Sequence, residues 1–509
     1  MLLNTLLAAL EQSPQKWWGT ENYKEHLDID NLAYDSRKVT PGTLFIAVPG
    51  SHTDGRRYLA DVAQRGAVAA LGPTPGDFLS SALPLPYIEV RDVLAALADL
   101  ACAFYDYPAQ QLCTIGVTGT DGKTTTSNLI HTIFSEAGKR TGLMTTANFK
   151  IGGQEWENTT RQSTLEALEV QQLLRRMVDE GMTHAVIEAT SHGLELQRVR
   201  GCAFDVGVVT NITHEHLEFH KTLENYRRAK ARLFEMLDPA RAKGLGARPT
   251  AILNRDDASY EQLRPYCRVP IIDYAIDQTA AVRAVDVRLD ANGTRFRAII
   301  PGGDVEIKTR LVGRFNISNC LAAIATACSQ DIEPAIIARA LAKVTGVSGR
   351  MERIDEGQPF TVIVDYAHTP DSLAKVLAVL RPLTRGKLMV VFGSAGERDV
   401  LKRPIMGQIA AQMADFFVIT DEDPREEDRN KILREIASGS EAVGKREGRD
   451  FLCIADRTQA IATALAQARA GDTVLLAGKG HEQSIIVGRN KIEWDDRRVA
   501  REQLRLRTR

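Results

Sequence analysis

Three things are scarce in this chain, and each scarcity excludes something. Charge of one sign comes first. With 64 Lys plus Arg against 65 Asp plus Glu, the formal net charge is −1, so no basic excess is available to hold a nucleic-acid backbone and no nucleic-acid partner is expected. Long apolar runs come second: none approaches the roughly 20 residues that cross a bilayer, and no membrane partner is expected. Cysteine comes third. Its seven residues (Cys102, Cys113, Cys202, Cys267, Cys320, Cys328 and Cys453) are scattered, odd in number and free of any CxxC pair, which favours reduced thiols and a cytoplasmic setting. The run at 2–10 lacks a basic segment before it and is followed by Glu11 rather than a small-residue cleavage site, so it reads as a first amphipathic helix. Internal repeats and low-complexity segments are also missing from the 509 residues, a length that at about 150 residues per domain gives roughly three domains.

What is present is alternation. Residues 1–107 mix short strands and turns and close with a helix on which Leu94, Leu97, Ala101 and Phe104 recur at helical spacing. Strand-like runs at 112–118, 184–190, 205–212 and 250–254 then alternate with helical stretches, among them 165–180, whose stripe of Leu165, Leu168, Leu173, Leu174, Met177 and Val178 is stopped by Gly181. Such alternation predicts a parallel sheet with helices on both faces. Between 278 and 312 the pattern turns polar and alternating, with Gly293, Gly302 and Gly303 as turn signals, and predicts appended antiparallel strands. From Gly346 onward the runs 360–366, 387–393, 416–420 and 472–477 alternate with helices again, a second, Rossmann-like doubly wound unit whose chemistry should gather beyond the carboxyl ends of its strands. The expected division is 1–107, 108–345 and 346–509.

The segment Gly116-Val117-Thr118-Gly119-Thr120-Asp121-Gly122-Lys123-Thr124 follows a strand and opens a helix. Backbone N–H groups of a tight glycine loop at a helix N-terminus cradle phosphate. Lys123 should reach the β- and γ-phosphates and the Thr124 hydroxyl should ligate Mg2+, with ATP as the default nucleotide, although Val117 replaces the first glycine of the usual G-x-x-x-x-G-K-[ST] pattern.

Glu188 closes the strand-like run at 184–190, where an acidic magnesium ligand would face that loop. In the helix expected from about 223 to 237, Lys230 falls on the apolar stripe of Tyr226, Leu233, Phe234 and Leu237. A lysine there either snorkels or has a partner. Desolvation beside a nucleotide site would lower its pKa and make it nucleophilic towards carbon dioxide, giving a carbamate able to bind magnesium. His214, His216 and His220 cluster with Glu215 and Glu218. Zinc is conceivable there, but the spacing is wrong for HExxH and no cysteine is near, so a single His, His216, serving magnesium or phosphate is the preferred reading.

Together these residues make the chain resemble the Mur ligase family, in its MurE-type UDP-N-acetylmuramoyl-tripeptide synthetase branch. The resemblance covers nearly the whole length. Residues 34–42 (Tyr-Asp-Ser-Arg-Lys-Val-Thr-Pro-Gly) with Asp54-Gly55 are similar to the family's uridine-nucleotide domain, and 118–124 to its ATP loop. The resemblance implies ATP contacts at Gly119, Thr120, Gly122, Lys123, Thr124, Thr125, Asn316, Arg350 and Asp365. It implies magnesium ligands at Thr124, Glu188, His216 and Lys230, the last as a carbamate. The UDP substrate would be held by Ser36, Arg37, Thr159, Thr160, Ser191 and Arg198, and the incoming amino acid by Arg398, Asp423, Arg425, Gly478 and Glu482. Arg161 departs from the family, which often has Pro there.

The implied reaction is a two-step ligation. ATP phosphorylates the free D-glutamyl carboxylate of a UDP-N-acetylmuramoyl dipeptide, and the amine of a diamino acid attacks the acyl phosphate. The loop Asp421-Glu422-Asp423-Pro424-Arg425 resembles the D-N-P-R loop of ligases that add meso-diaminopimelate. Asp423 stands where that pattern has Asn: an ionised Asp would repel a distal carboxylate and attract a distal ammonium, whereas Arg425 would grip a carboxylate. L-lysine or L-ornithine and meso-diaminopimelate both remain open. The alternatives are a folylpolyglutamate-type ligase, which would lack the 35–42 stretch, and a P-loop ATPase switch, which would need no lysine on an apolar stripe. A monomer is expected.

Overall fold

The computed structural model describes residues 1–18, 27–50, 53–76, 83–160, 162–213, 215–240, 243–290 and 293–507. Arg161 and His214 lie outside the described residues, as does the side chain of Glu218. The chain forms two compact units: residues 1–123, 137–156 and 162–273 make the first, and residues 124–136, 157–161 and 274–509 the second.

The first unit opens with a five-stranded sheet of β1 (Lys16–Trp18), β2 (Asn31–Ala33), β3 (Thr43–Ile46), β4 (Ala67–Gly72) and β5 (Tyr87–Glu89), in the order β1-β5-β4-β3-β2. All neighbours are parallel except β1, which runs antiparallel to β5. The expected first helix is a single turn, Leu3–Leu7, which buries Leu3 and Leu6. The helix Val93–Phe104 is capped by Asp92, whose carboxylate accepts from Leu94 N and Ala95 N. Its apolar stripe shares a core with Leu44, Ile46, Leu71 and Ile88 on one side and with Ala167 and Leu168 on the other.

Next come β6 (Cys113–Thr118), β7 (Thr141–Met144), β8 (Asn148–Ile151), β9 (Gln154–Glu157), β10 (His184–Glu188), β11 (Val206–Val209), β12 (Thr250–Asn254) and β13 (Ile271–Ala275). The run β12-β11-β6-β10-β7 is parallel throughout, and β8 turns back antiparallel on β7. Strands buried on both faces read as continuous apolar runs, which is why 112–118 and 250–254 stand out in the sequence. The carboxyl ends of β6, β10 and β11 therefore lie on one edge, the edge that carries Gly119, Glu188 and Thr210.

At the opposite edge lies a buried ion pair. Lys243 Nζ donates to Asp205 Oδ2 at 2.8 Å, to Leu112 O at 2.9 Å and to Thr114 Oγ1 at 3.1 Å, while Asp205 Oδ2 also accepts from Thr114 N at 2.8 Å. The two side chains are 2% and 5% exposed.

The second unit contains the antiparallel strands β14 (Val282–Asp290), β15 (Gly293–Ile300) and β16 (Gly303–Thr309), with the end of β13 pairing in parallel to β14. The helix Arg314–Ser329 is buried nearly all round. Beyond it stand β17 (Glu352–Ile354), β18 (Thr361–Asp365), β19 (Leu388–Phe392), β20 (Phe416–Ile419), β21 (Phe451–Cys453) and β22 (Thr473–Ala477), in the order β17-β18-β22-β19-β20-β21, parallel except for β17. The chain steps outward from β19 to β21 and then returns to insert β22 between β18 and β19. Three helices (Pro370–Leu380, Lys402–Met413, Arg429–Glu441) cover one face, and Arg457–Gln467 with Asp496–Arg507 cover the other. A hairpin of β23 (Ser484–Val487) and β24 (Asn490–Glu493) follows.

The buried pair yields a stability test. Lys243→Ala leaves Asp205 charged and enclosed, and should cost about 3–5 kcal/mol. A lowered thermal midpoint is the measurement, with the exposed Arg434→Ala as the neutral comparison.

Candidate functional site

At the end of β6 the backbone enters the glycine loop. Gly119 has φ of +146°, and a Cβ there would run into Thr210 Oγ1, so only glycine lets the loop lie against the end of β11. Thr210 and Asn211 hold the loop: Thr120 N donates to Asn211 O at 2.7 Å, Asp121 N to Asn211 Oδ1 at 3.0 Å, and Thr210 Oγ1 to Asp121 O at 2.6 Å. Gly122, with φ of +83°, ends the loop, and the helix Lys123–Glu136 begins with Thr124 and Thr125 buried in its first turn. Lys123 Nζ folds back onto its own loop, donating to Thr120 O at 2.6 Å and Gly119 O at 3.1 Å.

The helix Leu223–Glu235 is capped by Thr222 and buries Tyr226, Ala229, Lys230, Leu233 and Phe234. Lys230 does not snorkel. It is 1% exposed, and its Nζ donates to Gly119 O at 2.6 Å, the carbonyl that Lys123 also uses. Burial, then the neighbouring Lys123 ammonium, hold the Lys230 amine well below the usual lysine range. Its Nζ sits 4.5 Å from the ring centre of Tyr226, and the Tyr226 hydroxyl bonds Thr120 Oγ1 at 3.0 Å and donates to Glu215 Oε2 at 3.2 Å.

Glu188, at the end of β10 and in register with Val117 of β6, is 2% exposed. Its two oxygens accept from Thr146 Oγ1 at 2.8 Å and Thr146 N at 3.0 Å. His216 has φ of +56° and packs edge-on against His192, ring centres 4.7 Å apart. Glu188 and Glu215 both act on Lys230 electrostatically. The first unit thus gathers Lys123, Lys230 and Glu188 around the loop, with Glu215 of the histidine cluster, Tyr226 of the apolar stripe, and Thr210 and Asn211, which the sequence pattern did not mark. A strand-end Thr-Asn pair was the available signal for the last two.

These residues fit a triphosphate with a hard divalent cation. Two lysine amines meet at a glycine loop too tight for a Cβ at Gly119, beside an enclosed carboxylate and an imidazole.

Elsewhere in the first unit, Ser36 and Arg37 form a single helical turn after β2, capped by Asp35, whose carboxyl is held down to about 2 chiefly by its bonds to Arg37. Arg37 is exposed. Tyr34 Oη and Lys38 Nζ flank this turn and donate to Glu169 Oε1 at 2.9 and 3.0 Å. Arg198 pairs with Glu166 at 2.5 Å and donates to Thr164 O at 3.2 Å. Ser191 is buried at the start of a short helix, its Oγ without a partner among the described residues.

In the second unit, Asn316 is buried, donates to Val312 O at 2.9 Å and accepts from Asn319 Nδ2 at 3.1 Å; Asn319 in turn accepts from Thr126 Oγ1 at 3.3 Å. A buried amide relay thereby joins Asn316 to the helix that follows the glycine loop. Asp365, ending β18, accepts from Met351 N at 2.7 Å and Ala367 N at 2.8 Å, and the Arg350 guanidinium lies 4.5 Å from the Tyr366 ring centre. Thr160 bonds Asn158 Oδ1 through N and Oγ1 at 3.0 and 2.6 Å, and Thr159 O accepts from Lys491 at 3.5 Å.

The carboxyl ends of β18, β22, β19 and β20 share one edge, as parallel pairing requires. Asp423 is 5% exposed there, and its Oδ1 accepts from Lys479 Nζ at 3.1 Å and Ile486 N at 2.9 Å. Lys479 is thus the counter-ion of the Asp423 carboxylate, a partner the sequence pattern did not indicate. Lys479 also pairs with Glu482. Arg425 has φ of +55°, and its backbone joins the hairpin through Ile486 O at 3.0 Å and Gly488 N at 2.7 Å. Its buried Nε has no partner among the described residues. Gly478 lies against the Glu422 side chain, and burial raises the Glu422 carboxyl. Arg398 is exposed on the loop after β19.

Two enclosed arginines brace this edge. Arg403 forms a two-oxygen pair with Glu427, both at 2.8 Å, and donates to Ala395 O at 3.1 Å. Arg457 pairs with Asp496 at 2.8 and 2.6 Å and donates to Asp421 O at 3.0 Å and Ala477 O at 2.9 Å.

Comparisons with known proteins agree with this arrangement. Models described as Mur ligase family, catalytic domain; Mur ligase middle domain; and Mur ligase, glutamate ligase domain match residues 28–105, 117–327 and 349–480. The chain is 50% identical over 483 residues, 94% of each chain, to a UDP-N-acetylmuramyl-tripeptide synthetase of Roseiflexus sp. (strain RS-1). It is 41% identical over 501 residues, 97% of this chain and 98% of the other, to a UDP-N-acetylmuramoyl-L-alanyl-D-glutamate--2,6-diaminopimelate ligase of Geobacillus kaustophilus (strain HTA426). A solved UDP-N-acetylmuramoyl-L-alanyl-D-glutamate--2,6-diaminopimelate ligase superposes with a TM-score of 0.65 at 31% identity, covering 96% of this chain and 97% of that one. With its glycine loop, buried lysine and braced strand ends all inside the matched regions, the chain belongs to the Mur ligase family.

Proposed function

We propose that this chain is an ATP-dependent amide ligase that joins a diamino acid to UDP-N-acetylmuramoyl-L-alanyl-D-glutamate in peptidoglycan synthesis. The observation that carries this reading is Lys230: an amine with 1% exposure, biased towards its neutral form, set on the carbonyl of the phosphate loop. A nucleotide switch has no use for it. A neutral amine adds to carbon dioxide with loss of a proton, and the resulting carbamate supplies an anionic oxygen at that position.

The D-glutamyl carboxylate attacks the γ-phosphorus of ATP and ADP leaves. The amine then attacks the acyl carbon, phosphate leaves, and the amine loses its proton. Lys123 neutralises charge on the phosphoryl oxygens as it moves. Thr124, Glu188, His216 and carbamoylated Lys230 would hold magnesium, which when bound supplies further charge neutralisation. Asn316, Arg350 and Asp365 serve ATP, with Arg350 steadied on the Tyr366 ring. Residues 1–107 would hold the uridine diphosphate, 108–345 the nucleotide and 346–509 the amino acid, in a cytoplasmic monomer.

For the amino acid, we favour meso-diaminopimelate. Relatives 41% and 43% identical are named as ligases of 2,6-diaminopimelate, Arg425 offers a buried N–H without a partner among the described residues, and the Asp423 charge, the main argument for lysine, is engaged by Lys479.

Three measurements follow. Lys230→Ala should lower ligation by roughly two to three orders of magnitude, with partial recovery on adding a short-chain carboxylic acid; wild-type turnover would mean that the lysine is only structural. Arg37→Ala should raise KM for the UDP substrate by about tenfold, the loss of one charge-assisted bond, while KM for ATP stays put. Kinetics with meso-diaminopimelate, L-lysine and L-ornithine side by side should rank meso-diaminopimelate first, and a preference for either of the others would overturn that assignment.

A further inference from the structure

We propose that Lys479 is a specificity-determining residue of the amino-acid site: by pairing with Asp423 and Glu482 it cancels excess negative charge, so that the site receives an amino acid whose far end carries both an ammonium and a carboxylate. The inference rests on reading the strand ends of the second unit as the amino-acid site.

Lys479 follows β22, and its side chain is 0% exposed. A lysine with no route to water for its ammonium needs counter-charges within reach. It has two, Asp423 at 3.1 Å and Glu482 on the next turn of chain. Asp423 is further fixed by Ile486 N at 2.9 Å, so the hairpin, the β20 loop and the β22 loop meet on one carboxylate and one ammonium.

The local charges then sum to zero: Asp423 and Glu482 against Lys479 and Arg425. Asp421 is taken up by Arg429, and the enclosed Glu422 carboxyl, raised by burial, faces the Lys402 ammonium. Without Lys479 the sum would be one negative charge. Enclosed charges are weakly screened, so that single unit separates a zwitterionic far end from a purely cationic one. It also explains how an Asp can stand where an Asn would otherwise serve: its charge comes with its own counter-ion.

The test uses the full chain and the ratio of kcat/KM for meso-diaminopimelate to that for L-lysine. Lys479→Met should shift this ratio towards L-lysine by roughly tenfold or more, while KM for ATP stays within about twofold. The double variant Asp423→Asn/Lys479→Met removes both members of the pair and should return the ratio to within about threefold of wild type. A single variant that loses activity equally with both amino acids, at an unchanged ratio, would overturn the proposal by showing that Lys479 only packs. So would a double variant whose ratio stays shifted. If the single variant does not fold, Asp423→Asn alone decides: it leaves Lys479 in excess and should shift the ratio towards meso-diaminopimelate, and an unchanged ratio would overturn the proposal. A wild type that prefers L-lysine would sink the assignment of a zwitterionic far end, while the effect of Lys479 on selectivity is judged separately, by the change in ratio.

Discussion

One backbone carbonyl serves two ammonium groups, and much of the first unit is arranged around that fact. Gly119 O accepts from both Lys123 and Lys230. Two like charges cannot share so small an enclosed space cheaply, and the tension is relieved if one amine gives up its proton. Lys230 is the more enclosed of the two, and burial, then the Lys123 charge, hold its amine well below the usual lysine range. The surroundings enforce the meeting: Thr210 and Asn211 press the loop down, the cap at Thr222 sets where the helix starts, and the Tyr226 ring and hydroxyl close the space beneath.

Buried charge in the second unit stays paired, as Lys243 does with Asp205 in the first. Arg403, Arg457 and Lys479 are enclosed and hold carboxylates, and Arg457 also bonds the carbonyls of two strand ends, Asp421 O and Ala477 O. Replacing such a pair by apolar groups can leave stability unchanged or even raise it. Their use here is geometric: a guanidinium that bonds Asp421 O and Ala477 O together fixes the spacing of two loops in a way a leucine could not. Rigid support behind flexible, polar loops is what a site needs if it is to tell similar amino acids apart.

Much of this could be read from the sequence, and the limits have physical causes. The parallel strands were plain because burial on both faces makes them uninterrupted apolar runs. Lys230 was conspicuous as a charge on an apolar stripe, and the glycine loop survived its altered spacing because strand and helix flank it. The hairpin at 484–493 was not visible: β24 is exposed and polar, without the alternation that marks a half-buried strand. Nor were the bracing arginines, since Arg403 and Arg457 sit in helices among polar neighbours and read as solvated. The counter-ion of residue 423 was hidden for a related reason. Its partner lies 56 positions away, and only the insertion of β22 beside β19 brings the two together.

The Arg457–Asp496 pair has a temporal side. Asp496 opens the last described helix, whereas Asp421 and Ala477, whose carbonyls Arg457 also holds, are made earlier during synthesis. Until residue 496 has been made, Arg457 lacks the carboxylate that takes two of its N–H groups and is left with Asp421 and Glu422 as neighbouring counter-charges. Because chains emerge N-terminus first, the glycine loop and Lys230 can take shape while the strand ends that Arg457 braces are still unfixed.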